Sequence, residues 1–218
     1  MHIIEGYLPM VWCLIWFILS IIVIVVGCIQ LKKLIAHAPD VKKFLAINGI
    51  VMFFASLIFS IPSLNGCRSS VPFNALSGSV LGPAITSVVV AIVLLLQAFI
   101  LGYGGLTTLG ANIFAMGVVG PLAACLVYHY ANKFSIPNII SLILAVIFAN
   151  LFTILTTAVQ YGLVFGDIYK FFVILFVGQI PMLVIDIILT VGVYYILTNL
   201  LKGSEIFSLE LDDFFKIK

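Results

Sequence analysis

A chain of 218 residues in which 64% are hydrophobic and only 8% are charged lacks the quarter of charged residues that a water-soluble domain carries, and so belongs in a bilayer. Its eighteen Phe, eight Tyr and two Trp suit lipid-facing and interfacial positions. A net charge of +2 is too small to indicate a nucleic-acid partner.

The chain opens "MHIIEGYLP", without the lysine or arginine of a secretory signal. A free α-amine on Met1, the backbone nitrogen of His2 and the His2 imidazole form two fused chelate rings, and three nitrogens in one plane suit tetragonal Ni(II) or Cu(II). Binding releases protons, because the amine and the peptide nitrogen must both give theirs up. This reading requires Met1 to stay uncleaved and unextended. The alternative is that His2 is an untied terminal residue. Glu5 either orients His2 from behind or sits exposed at the membrane edge.

Apolar stretches follow at about 10–31, 44–61, 84–102, 109–131, 136–164 and 171–201, each near or above the ~20 residues that a spanning helix needs. A seventh, "FNALSGSVL" from Phe73 to Leu81, makes only about 14 Å of helix against a hydrocarbon core of about 30 Å. Charge placement argues that it crosses nonetheless. If it does, and the N-terminus is outside, Lys32, Lys33, Lys42, Lys43, Lys133, Lys202, Lys216 and Lys218 are cytoplasmic, and Arg68 and Lys170 are outside. If it does not, the ten basic residues divide evenly, against the bias of cytoplasmic loops for Lys and Arg. The expectation is an all-α polytopic protein of about seven spans, with the N-terminus extracytoplasmic and the C-terminus cytoplasmic. Residues 1–203 form one membrane domain and 204–218 a short charged cytoplasmic tail. To complete a crossing with so short a helix, the preceding loop "SLNGCRSSVP" must dip into the membrane, where irregular backbone is tolerated if it is buried in protein or lines a cavity. The plainer reading is a surface turn.

Glycines crowd "GYGGLTTLGANIFAMGVVGP", from Gly102 to Pro121. Small residues four apart, Ala111 with Ala115 and Gly120 with Ala124, suit close helix contact. Asn112 and Thr108 can hydrogen-bond across that contact, and the alternative is that Asn112 lines a substrate cavity. Asp186 stands inside the last apolar stretch, with Gln179 and Thr190 on the same helical face. An ionisable group there is functional by default, as an interhelical polar anchor or a contact with a coupling subunit. Cys13, Cys28, Cys67 and Cys125 lie too far apart for a CxxC pair. "VVGC" at Cys28 imitates a lipid-attachment box, but the acidic, lysine-free start argues against processing there. No paired acids, Ser/His arrangement or HExxH occurs in the spans, which argues against an intramembrane enzyme.

The opening "MHIIEGYLP", the break "LGPAITS" and above all "GGLTTLGANIFAMGVVGP" resemble the CbiM/NikM family, the substrate-binding membrane subunits of energy-coupling-factor transporters for cobalt and nickel. The similarity runs from Met1 to about Pro121 and returns at "GQIPMLVIDIILT". It implies one extra N-terminal helix added to a six-helix core whose third helix is short. The implied function is non-catalytic: capture of Co(II) or Ni(II) on the outer side as cargo, with no permanent cofactor. Implied partners are a transmembrane coupling subunit, paired cytoplasmic ATPases and a small accessory membrane protein. The chain itself has no GxxxxGK[ST] phosphate loop.

The resemblance also implies that Met1 and His2 are ligands, and there the chain departs from its relatives. They carry a loop histidine in a run like "SHPTGNGL", and alignment on Pro62, Gly66, Asn74 and Leu76 puts Ser70 in its place. Tyr103 replaces a second family histidine before the double glycine. The fourth donor is left open between a Cys67 thiolate with a metal-lowered pKa, the Ser70 hydroxyl and water. Asn74, with Glu5, Tyr103 and Asn112, falls in the surrounding cavity. The alternative function is a related membrane protein whose substrate has changed, or whose metal site is lost, because Ser70 has replaced the histidine.

Overall fold

The computed structural model describes residues 1–62 and 66–201. The tail expected over 204–218, with Lys202, Lys216 and Lys218, lies outside the described residues. Helix α1 (Met10–His37) starts after Pro9, whose extended backbone caps it, and ends two residues before Pro39, as the exclusion of proline from helix interiors requires. Helix α2 (Val41–Ile58) follows at once. Helix α6 (Asn138–Phe165) is likewise entered through a proline, Pro137, and closes on left-handed Gly166. Helix α7 (Ile168–Leu200) is capped by Asp167, whose side chain accepts from the Lys170 backbone N–H at 3.0 Å.

Between α2 and α6 the chain departs from simple spans. Strand β1 (His2–Ile3) pairs antiparallel with β3 (Cys67–Ser70), which also pairs with β2 (Ser60–Pro62). The register sets His2 opposite Arg68, and Ser60 opposite Ser70. The loop expected to be irregular is thus a small sheet with the first residues of the chain as one edge. Cys67 and Ser69–Asn74 are buried in the bundle, so their backbone lies within protein, as the dipping-loop reading required.

Helix α3 (Ala75–Leu101) is broken at Gly82, whose φ of 79° is left-handed, a conformation that glycine adopts without a Cβ penalty. After it come α4 (Leu109–Ile113), a π-helical turn (Phe114–Val119) and α5 (Gly120–Lys133) in unbroken succession. Asn74 donates to the Met116 carbonyl, Gly78 packs on Pro121, and His129 pairs with the Ser79 carbonyl. Residues 75–81 therefore descend alongside α5. After Gly82 the chain climbs back beside α2, with Gly49 against Val89 and Val93, and Ser56 against Gln97. The short seventh segment is real, fused by a sharp turn to the helix that follows it.

Among the described residues, six helices are long and apolar enough to cross a membrane, with Ala75–Leu101 counted as one. Lys32, Lys33, Lys42, Lys43 and Lys133 belong to the ends of α1, α2 and α5 remote from the sheet. Arg68 and Lys170 lie at the sheet end. Helix α1 crosses α3 near the reversal, where a Cβ on Gly27 would come within 2.0 Å of the Ala84 carbonyl oxygen. The apolar core fills the space between α2, α3, α5, α6 and α7.

Candidate functional site

The first two residues are swallowed by the bundle: Met1 is 2% exposed and His2 1%. A buried polar terminus must find partners, and each here comes from a different element. Ile3 is clasped at both backbone groups by Asn112 of α4, whose Oδ1 accepts from the Ile3 N–H at 2.8 Å while its Nδ2 donates to the Ile3 carbonyl at 3.1 Å. Thr108 donates to the same carbonyl. Asn112 thus holds the N-terminal strand, as a polar link across the glycine-rich contact.

The Met1 amine donates to Ser70 Oγ at 2.8 Å, and His2 Nδ1 lies 3.0 Å from the same oxygen. The amine also meets the Met116 thioether sulfur at 3.7 Å. On the far side of the ring, His2 Nε2 is 3.3 Å from Gln97 Oε1. Gln97 Nε2 is already engaged, donating to the Phe53 carbonyl at 2.9 Å and to Ser56 Oγ at 2.6 Å. The amide oxygen is therefore the atom turned to His2, and it can only accept. This assigns the proton to Nε2 and leaves the Nδ1 lone pair facing Ser70.

Tyr103 packs edge-on against the imidazole at 4.6 Å between centroids, donates its hydroxyl to the Ser56 carbonyl at 2.8 Å, and carries the Arg68 guanidinium over its face at 5.2 Å. Cys67 is buried beside the Met1 amine and the His2 backbone N–H, and burial pushes its thiol up to about 12. Glu5 does not reach His2: its exposed carboxylate accepts from the Thr107 backbone and hydroxyl. Gln97 stands where Glu5 was expected to act.

From below, Gln179 Nε2 donates to the Ser70 carbonyl at 2.9 Å and to Asn150 Oδ1 at 3.1 Å. Asn150 Nδ2 in turn donates to Asp186 at 2.8 Å, and Thr190 donates to the other carboxylate oxygen at 3.3 Å. The Phe73 backbone N–H also faces this carboxylate. Gln179 and Asp186 thus form an interhelical anchor between α6 and α7 that reaches the loop carrying Ser70. Gln97, Asn150 and Met116 went unnoticed in the sequence, where the one available signal was an isolated polar or soft residue within an apolar run.

Among the described residues, no group of three or more His, Cys, Asp or Glu is placed to hold a metal, so any metal held at this place relies on the amine and backbone. Burial lowers the Met1 amine from its ordinary 8.0 to about 5. It also lowers His2 well below its usual range, reinforced by the charge of the adjacent amine. Both groups are consequently neutral near pH 7. A base with a lowered folded pKa leaves the unfolded chain binding more protons between the two values. In detergent without metal, the unfolding temperature is therefore expected to rise as pH goes from about 5 toward 8 and then level off. A flat profile across that range would show the amine to be solvated.

Residues 2–201 match the family model described as CbiM, cobalt uptake substrate-specific transmembrane region. A protein of Methanocaldococcus jannaschii, provisionally named cobalt transport protein CbiM, is 44% identical over 200 residues, covering 89% of this chain and 85% of that protein. The cobalt transport protein CbiM of Streptococcus sanguinis is 39% identical over 210 residues, covering 93% and 86%. A crystal structure of a truncated transition metal transporter superposes with a TM-score of 0.78 at 24% identity, covering 91% of this chain and 99% of that one. At that identity the likeness establishes the fold.

Proposed function

Because the chain belongs to the CbiM family of cobalt-uptake transmembrane proteins, we propose that it is the metal-capture subunit of an ATP-driven energy-coupling-factor importer, taking Co(II) or Ni(II) through its buried N-terminus. It is a membrane transport subunit and not a catalyst. The observation that carries the chelate reading is the position of Ser70 Oγ, 2.8 Å from the Met1 amine and 3.0 Å from His2 Nδ1. In a square of donors each about 2.0 Å from a metal, adjacent corners stand about 2.8 Å apart. The amine, the His2 backbone nitrogen and Nδ1 take three corners, and a group adjacent to both the amine and Nδ1 takes the fourth.

On this reading the Ser70 hydroxyl takes the place that the family resemblance implies for a histidine. Cys67, with its proton held by burial, is a neighbour of the site and the less favoured donor. Gln97 fixes the tautomer that metal binding needs, and Asn112 and Thr108 hold the strand that carries both nitrogens. Tyr103 closes one wall, and Asn74 supports the opposite side through Met116. Gln179 and Asp186 position the Ser70 loop.

The lysines at the end remote from the sheet support an extracytoplasmic N-terminus in the cell membrane and a cytoplasmic C-terminus. The absence of a phosphate loop from the sequence assigns ATP hydrolysis to partners. Those partners are paired cytoplasmic ATPases, a transmembrane coupling subunit against which the metal-loaded subunit reorients, and a small accessory membrane protein.

Titration of the purified protein with Ni(II) tests this directly. A square-planar ligand-field band is expected, and Ser70→Ala is expected to weaken binding about tenfold, the scale of one weak ligand. If neither Ni(II) nor Co(II) binds, the cargo has changed with the loss of the loop histidine.

A further inference from the structure

A π-helical turn inside a membrane-spanning helix leaves backbone carbonyls without their usual partners, and such turns concentrate at functional sites. The turn here, Phe114–Val119, and Ala111 just before it are held by side chains from two other segments, α6 and the loop that precedes α3. Gln160 donates to the Ala111 carbonyl, Thr153 to Ala115, and Asn74 to Met116. Asn74 reaches that carbonyl because Gly120 has no side chain: a Cβ there would stand 2.7 Å from Asn74 Nδ2 and 2.4 Å from Thr153 Oγ1. This apparatus presents one side chain to the N-terminus, that of Met116. It is 1% exposed, with its sulfur 3.7 Å from the Met1 amine.

We infer that the Met116 thioether is a fifth, axial donor to a metal held by the Met1–His2 chelate. The inference rests on the chelate reading given above. Ser70 Oγ bonds both the amine and Nδ1 and so fills the fourth corner, which leaves a sulfur whose contact is with the amine a place above or below the square. With an amine–metal bond of about 2.0 Å and a right angle at the metal, it comes to about 3.1 Å from the ion, the long weak contact typical of an axial methionine. On binding, the metal takes the amine lone pair and the amine N–H bonds turn away, which leaves the sulfur to face the ion. Packing alone would be satisfied by leucine, whose volume is similar. A thioether adds a soft donor at a site whose fourth corner is a hard hydroxyl, and it biases selection toward late transition metals over Mg(II), Ca(II) and Mn(II).

The test uses full-length protein labelled with selenomethionine and loaded with Ni(II), read by X-ray absorption at the nickel edge. A selenium scatterer beyond the nitrogen and oxygen shell is expected. It should vanish in Met116→Leu, with the inner shell and the melting temperature of the empty protein retained, and with Ni(II) affinity reduced about tenfold. A spectrum without selenium, or selenium that persists in Met116→Leu and so comes from Met1, overturns the thioether role while leaving the chelate standing. Parallel loading of a variant extended by Gly-Ser before Met1 separates the two readings. Nickel that binds equally to the extended chain overturns both, because the amine is then not a ligand.

Discussion

Extension of the chain by Gly-Ser before Met1 is expected to abolish capture of Ni(II) and Co(II), lowering affinity at least a hundredfold. The extension turns the amine into an amide, and without a terminal amine to anchor the metal the peptide nitrogens keep their protons at neutral pH. It also has nowhere to go. The amine is enclosed by Ser70, Met116 and Cys67, so two more residues must push β1 out of its pairing with β3. His2→Ala separates chemistry from displacement, because it keeps the amine in place and removes only the imidazole. Both variants should lose binding by isothermal titration, while His2→Ala retains the helical circular dichroism and elution volume of the parent. Retained affinity in His2→Ala would remove the imidazole from the ligand set.

The next largest effect is expected from Gln97. Outer partners that fix the orientation of a ligating histidine typically account for 10- to 100-fold in metal affinity, and Gln97→Leu is expected to fall in that range. Leucine leaves His2 Nε2 without an acceptor in a buried setting, so the proton is free to move to Nδ1, the nitrogen that faces Ser70. The comparison with Gln97→Glu is informative. Glutamate keeps an acceptor opposite Nε2 but loses the donations to Phe53 and Ser56. Binding by Gln97→Glu should therefore exceed that by Gln97→Leu. Equal loss in both would mean that Gln97 acts by tying α3 to α2 and not through the imidazole.

Much of the framework was legible in the sequence because it follows from length and hydropathy. The six long stretches became helices of spanning length, with ends fixed by Pro9, Pro39, Pro137 and Gly166. The short segment was expected from the placement of lysines, although hydropathy did not reveal that Gly82 would fuse it to the next helix. The three-stranded sheet was not legible. Its strands run two to four residues, too few for alternation to register, and the pairing of β1 with β3 joins positions more than sixty residues apart.

The site divides along the same line. The three nitrogens proposed as a chelate belong to the first two residues, so they were readable in sequence, with a family resemblance in support. Ser70 came from alignment. Gln97 and Met116 contribute through contacts across 95 and 115 residues, and nothing local distinguishes a Gln in "LLLQAF" or a Met in "FAMGV" from packing residues. For Glu5 the sequence left two readings open, an orienting group for His2 and an exposed residue, and the second is the one found. The turn at Gly6 leaves its carboxylate with Thr107 on the exposed rim.

The enclosure of Met1 also fixes an order of assembly. The amine's partners Ser70 and Met116, and the Asn112 that clasps Ile3, are synthesised after it and emerge only once several segments have entered the bilayer. Until then the first strand has no sheet to join and remains outside the growing bundle. A tag-free nascent chain stalled before residue 112 should expose its amine to a water-soluble acylating reagent, and one released at full length should resist it. Biogenesis thus leaves this end of the chain open to modification until the segments that enclose it have been made.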